Sequence, residues 1–105
     1  MNDIELWQGD CLELMKNIPD SSIDLVLTDP PYAMNFQSNY RKEKYNKILN
    51  DKNLNWLESY INECYRIMKD NTCLYCFCSW HNIDIFKKAI ENKFKLKNIL
   101  IWEKK

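Results

Sequence analysis

The apolar run Ile23-Asp24-Leu25-Val26-Leu27 leads straight into Thr28-Asp29-Pro30-Pro31-Tyr32. Few features constrain a fold more tightly. Neither proline has an N–H to give to a ladder, and both have a fixed φ. The residue ahead of each is pushed to extended geometry. A buried strand over residues 23–28 therefore ends in a stiff, extended loop, and the loop holds an acid and an aromatic at set positions. Such a loop can grip a flat, amine-bearing ring: Tyr32 offers a stacking face, while Asp29 and the Pro30 carbonyl offer acceptors.

The surrounding pattern alternates helix and strand. Residues 4–7 alternate in polarity and read as a short strand. Asp10 is a good N-cap, Glu13 has capping-box spacing, and Leu12, Met15 and Ile18 give a helical face that Pro19 stops. Pro19-Asp20-Ser21-Ser22 is turn chemistry. The second strand, 23–28, is apolar enough to be central and parallel. Residues 33–52 show no period and read as a long loop, the kind that is often functional. A helix is expected over 53–69, with Leu57, Tyr60, Ile61, Cys64 and Met68 on one face. Asn71 closes it in a left-handed conformation. A third strand follows at 72–78, then a helix capped by Asn82 with Ile83, Phe86 and Ile90 inward, then a fourth strand at 94–102. This order predicts an α/β domain with a mostly parallel sheet and no internal boundary, so residues 1–105 form one unit.

Composition narrows the function. With 105 residues there is room for one modest core, and 46% hydrophobic content excludes a disordered tail. Fifteen cations balance fifteen anions. A domain that held DNA alone would usually be basic. No stretch has transmembrane length and the N-terminus carries no signal-peptide pattern. The five cysteines, an odd number, fit reduced thiols in a cytoplasmic protein. The single glycine, Gly9, leaves no Gly-rich cofactor loop.

Together, Gln8-Gly9-Asp10-Cys11-Leu12-Glu13-Leu14, the Asp-Pro-Pro-Tyr loop, residues 56–79 and the trailing Ile101-Trp102-Glu103-Lys104 resemble the DNA amino-methyltransferases. The match is to the N6-adenine and N4-cytosine family, among members whose catalytic loop precedes the cofactor loop, and it covers nearly the whole chain in order. The resemblance implies a Rossmann-like methyltransferase fold, S-adenosylmethionine as donor and a flipped-out DNA base as acceptor. It assigns Asp29, Pro30, Pro31 and Tyr32 to catalysis, with Tyr32 stacked on the base. Asp-Pro-Pro-Tyr is more frequent in adenine enzymes than in cytosine ones, so adenine-N6 is expected, with N4-cytosine as the alternative. A restriction-modification or phage setting follows from the same likeness.

In the resembled class the glycine loop, the target-recognition region and the last strands come after the point reached at Lys105. The expectation is an N-terminal part of a catalytic domain, completed by further sequence or a complementing chain. A non-catalytic, partner-binding remnant is the alternative from another class. In the resembled sheet only the strands ending at Thr28 and Cys78 are neighbours. The strands at 4–7 and 94–102 have their partners elsewhere, so the chain alone is expected to be marginally stable and prone to association, unless residues 4–7 pair beside 23–28.

Several residues are open to two readings. Asp10 is a helix cap or, with Asp29, touches the cofactor. Trp80 walls the base pocket or packs. His81 reads as a helix-entry residue without a catalytic role. Tyr40-Arg41-Lys42-Glu43-Lys44-Tyr45-Asn46-Lys47 mixes cations with aromatics, as flipped-base and single-strand contacts do. Its place after the catalytic loop assigns Arg41, Lys42 and Lys44 to DNA backbone contact rather than to a solvated loop. Cys73, Cys76 and Cys78 resemble a metal cluster on paper. On a strand Cys73 faces away from the other two, and same-face neighbours sit roughly 7 Å apart, so no metal site is expected.

Overall fold

A computed structural model describes residues 3–31, 54–101 and 103. The elements are α1 (Cys11–Leu14) continued by a 3-10 turn (Met15–Asn17), β1 (Ile23–Thr28), α2 (Leu57–Ile67), β2 (Met68–Cys76) and α3 (Ile83–Glu91). Among the described residues β1 and β2 form a two-stranded parallel sheet. The α/β class and the pairing of these two strands are as expected.

Helix α1 starts where the sequence places it: the Asp10 carboxylate accepts the Leu12 N–H at 3.0 Å. Glu13 turns instead to Lys16, 3.2 Å away. The 3-10 turn ends at Ile18, before Pro19, whose carbonyl accepts the Ser22 hydroxyl at 2.7 Å. Ser21 adopts φ 50° in that turn, and the N–H groups of Ser21 and Ser22 then reach the carbonyls of Arg66 and Ile67.

Helix α2 supplies most of the core. Leu57, Tyr60, Ile61, Cys64 and Ile67 lie on its buried face, and Met15, Met68 and Phe86 close the cluster. The 3.6-residue period dictates this stripe. Arg66 pins the helix end to the 3-10 turn. Its guanidinium donates to the carbonyls of Ile18 at 2.9 Å and Met15 at 2.8 Å, and pairs with Asp20 at 2.6 Å.

The helix passes into β2 with no intervening loop. The expected strand start at Thr72 is therefore corrected to Met68. The reason lies in the register, which pairs Ile23 with Met68 but Leu25 with Cys73. Lys69, Asp70, Asn71 and Thr72 stand opposite the single residue Asp24, an irregularity that re-aims the strand. Asn71 has the expected left-handed φ, 61°, but it turns the chain inside this bulge and does not end the helix.

Among the described residues two expected strands are absent. Residues 4–7 are irregular and exposed, and do not pair beside β1. Residues 95–101 are likewise irregular, with Leu100 and Ile101 almost fully exposed; Trp102 lies outside the described residues. A strand needs a neighbour's ladder, and alternation in sequence does not provide one.

The sheet is covered on one side. Val26 and Leu74, partners in register, pack on the helical core along with Cys76. The opposite face presents Leu25, Leu27, Tyr75 and Phe77 to solvent, with Leu27 66% and Tyr75 52% exposed.

Candidate active site at the strand ends

Parallel strands deliver their C-terminal ends to one rim, where open α/β sheets place their sites. Here the Phe77 N–H donates to the Thr28 carbonyl at 2.9 Å. That bond carries the pairing one residue beyond β2 and brings the end of β1, where Asp29 follows, alongside the segment after β2. Asp29 is exposed, Pro30 is buried and Pro31 half-buried. The first proline anchors the loop while the carboxylate stays at the surface.

Behind the loop, the Thr28 hydroxyl meets the Tyr60 phenol at 2.5 Å. Tyr60 is 9% exposed, and its ring packs edge-on against Trp56 at 5.8 Å. Burial pushes the phenol well above its ordinary pKa, and the hydrogen bond with Thr28 only partly offsets this. The phenol therefore stays protonated. The residue before Asp29 is thus tied to the middle of α2, a link that sequence reasoning missed. Its one sequence signal is a polar residue, Thr28, ending an apolar strand.

The thiols around this anchor are equally inert. Burial pushes Cys76 up to about 12, helped by its neighbours Cys78 and Cys64 and by the nearby Asp29 carboxylate. Cys64, held mainly by burial, is raised to about 11. Cys73 is exposed on the opposite face from Cys76 and Cys78, as the two-residue period requires. Among the described residues no cluster of His, Cys, Asp or Glu could hold a metal.

On the β2 side, Ser79, Trp80 and His81 stand between the strand end and α3. The Asn82 N–H donates to the Ser79 carbonyl at 3.0 Å, which closes a turn, and the Asn82 carbonyl then accepts the Ile85 and Phe86 N–H groups to begin α3. Trp80 is 78% exposed. The structure thus brings Asp29, Pro30 and Pro31 to the same rim as Trp80. Asp10 lies at the start of α1, engaged as a cap. Tyr32, Arg41, Lys42 and Lys44 fall outside the described residues.

A methyl donor would need backbone that it can approach closely. Gly9, the one glycine, has φ 145°, but a Cβ there would meet the Leu14 side chain at 3.4 Å.

The DNA methylase family of N6 and N4 enzymes matches residues 23–105. The chain belongs to this DNA amino-methyltransferase family. Putative methylase YubD of Escherichia coli is 36% identical over 81% of this chain and 36% of its own length. Type II methyltransferase M2.MboI of Moraxella bovis is 29% identical over 97% of the chain and 41% of its length. DNA adenine methyltransferase YhdJ of Escherichia coli is 30% identical over 90% of the chain and 31% of its length. The chain spans less than half the length of each of these relatives. The family match covers both strands and the turn between β2 and α3.

Proposed function

We propose that the chain supplies the acceptor side of a DNA adenine-N6 methyltransferase that uses S-adenosylmethionine. The observation that carries this reading is the placement of Asp29. An exposed carboxylate, fixed between a strand end and a buried proline, shares its rim with an exposed indole. Asp29 and the Pro30 carbonyl would accept hydrogen bonds from the exocyclic amine of a flipped base, orienting the nitrogen lone pair. Most of the rate would then come from positioning and from stabilising the charge that develops on the amine. Tyr32 would stack on the ring, Trp80 would wall the pocket, and Arg41, Lys42 and Lys44 would contact the DNA backbone.

On this reading a glycine loop outside the described residues would complete the cofactor cradle, since Gly9 is the single glycine of the sequence. The open sheet face of Leu25, Leu27, Tyr75 and Phe77 supports a partner polypeptide, continuous with this chain or separate, that covers it and brings the glycine loop. The same face supports a second reading, a non-catalytic partner-binding module.

The test is to express the chain alone and with the reading frame adjacent to its gene. Transfer of radiolabelled methyl from S-adenosylmethionine to DNA is then measured, and the DNA is digested to nucleosides. N6-methyladenine from the pair supports the reading. N4-methylcytosine moves it to the alternative target. No transfer from a soluble complex of the two favours the partner-binding module.

A further inference from the structure

The turn that follows β2 is built more tightly than a helix entry requires. Trp80 and His81 occupy the two central positions of the turn closed by Ser79 and Asn82. Their rings stack at 3.9 Å between centroids with 29° between planes. Ser79 holds the imidazole twice over: its hydroxyl oxygen accepts the His81 backbone N–H at 3.2 Å and lies 3.0 Å from Nδ1. One oxygen thus fixes both the backbone and the ring of His81, and the ring covers one face of the indole. Trp80 nevertheless remains 78% exposed. A large aromatic left open to water but backed by a second, hydrogen-bonded ring is a preorganised flat surface. It also lies on the rim that carries Asp29, through the Phe77 to Thr28 bond.

We propose that Trp80 is a stacking platform for one unpaired nucleobase, with His81 and Ser79 as positioning residues that hold the indole in place. The inference rests on the nucleic-acid reading above and deepens it by assigning the bracing to two residues outside the Asp-Pro-Pro-Tyr loop. Stacking on an aromatic suits any base, because every base has a π face. Rigid backing means that less side-chain freedom is lost when the base arrives. The Ser79 hydroxyl has one proton, and donating it to Nδ1 leaves the His81 proton on Nε2.

The 105-residue chain labelled with 5-fluorotryptophan gives the test, with the Trp80 fluorine resonance assigned through Trp80→Phe. It is titrated with a short single-stranded oligoadenylate and with an abasic strand of the same backbone. The Trp80 resonance is expected to shift with the adenine strand and not with the abasic one. His81→Ala and Ser79→Ala should weaken the fitted affinity roughly tenfold, within the range stacking supports. Ser79→Thr, which keeps the hydroxyl, should restore it. Imidazole nitrogen shifts should show the Nε2–H tautomer in the parent and in Ser79→Thr, and lose that preference in Ser79→Ala. A Trp80 resonance that ignores adenine, responds equally to the abasic strand, or binds unchanged in His81→Ala overturns the proposal. Stacking without methyl transfer by the completed enzyme leaves the platform standing and removes the methyltransferase reading. Methyl transfer with a Trp80 resonance blind to adenine does the reverse.

Discussion

The Tyr60 phenol and the Thr28 hydroxyl meet at 2.5 Å, linking the centre of α2 to the residue immediately before Asp29. The helix that builds the core therefore also sets the height of the loop that carries Asp29. Tyr60→Phe keeps the packing on Trp56 but strands the Thr28 hydroxyl. A loss of about 1–2 kcal/mol in urea unfolding is expected, the usual cost of an unsatisfied partner. Adding Thr28→Val should cost less than the sum of the two single changes, because the pair acts as a unit. Additive losses would show that the two groups do not interact.

The raised thiol pKa values set an alkaline limit. Cys64 is held up to about 11 and Cys76 up to about 12, both chiefly by burial. Unfolded cysteines ionise near pH 8.5. Above that, the unfolded chain gives up protons that the folded one keeps, so stability falls as pH rises. It should be level below about pH 8 and decline from about pH 9 towards pH 12. Urea midpoints measured across that range check this, and Cys64→Ala with Cys76→Ala should flatten the decline. A midpoint that rises with pH would contradict it.

The bare sheet face should make the isolated chain self-associate. Leu25, Leu27, Tyr75 and Phe77 form a contiguous apolar patch, and the free edge of β1 lies beside it. Exposed patches and edges of this kind are association sites. Leu27→Lys with Tyr75→Lys should shift the chain towards monomer in size-exclusion chromatography. A parent chain that runs as a monomer with the stability of a full domain would show that the face needs no cover.

Calorimetry should detect no tight S-adenosylmethionine binding by the chain alone. Gly9 is the single glycine of the sequence, so no Gly-rich loop is present to let backbone approach the donor closely. Micromolar binding by the isolated chain would overturn this.

What the sequence revealed tracks what is locally determined. The stripe on α2 and the inward Phe86 follow from helical period, and the opposed faces of Cys73 and Cys76 follow from strand period. The bulge opposite Asp24 was not legible, because it depends on how two strands register. Residues 4–7 and 95–101 look like strands by composition but have no ladder to join, and composition carries no information about a missing neighbour. At the strand end, the exit from β1 at Thr28 was readable because proline dictates backbone. The Tyr60 anchor and the Ser79 to His81 brace were not, because each joins residues by tertiary or turn geometry.

The central claim is that Asp29 orients the acceptor amine, and one measurement addresses it directly. Methyl transfer to DNA is compared between the parent and Asp29→Ala, each completed by the polypeptide that restores activity, with DNA binding followed in parallel. In the proposed role the carboxylate acts in the transition state, so transfer should be abolished while DNA binding stays near the parent value. Turnover in Asp29→Ala within about tenfold of the parent would show that Asp29 is not the catalytic acceptor.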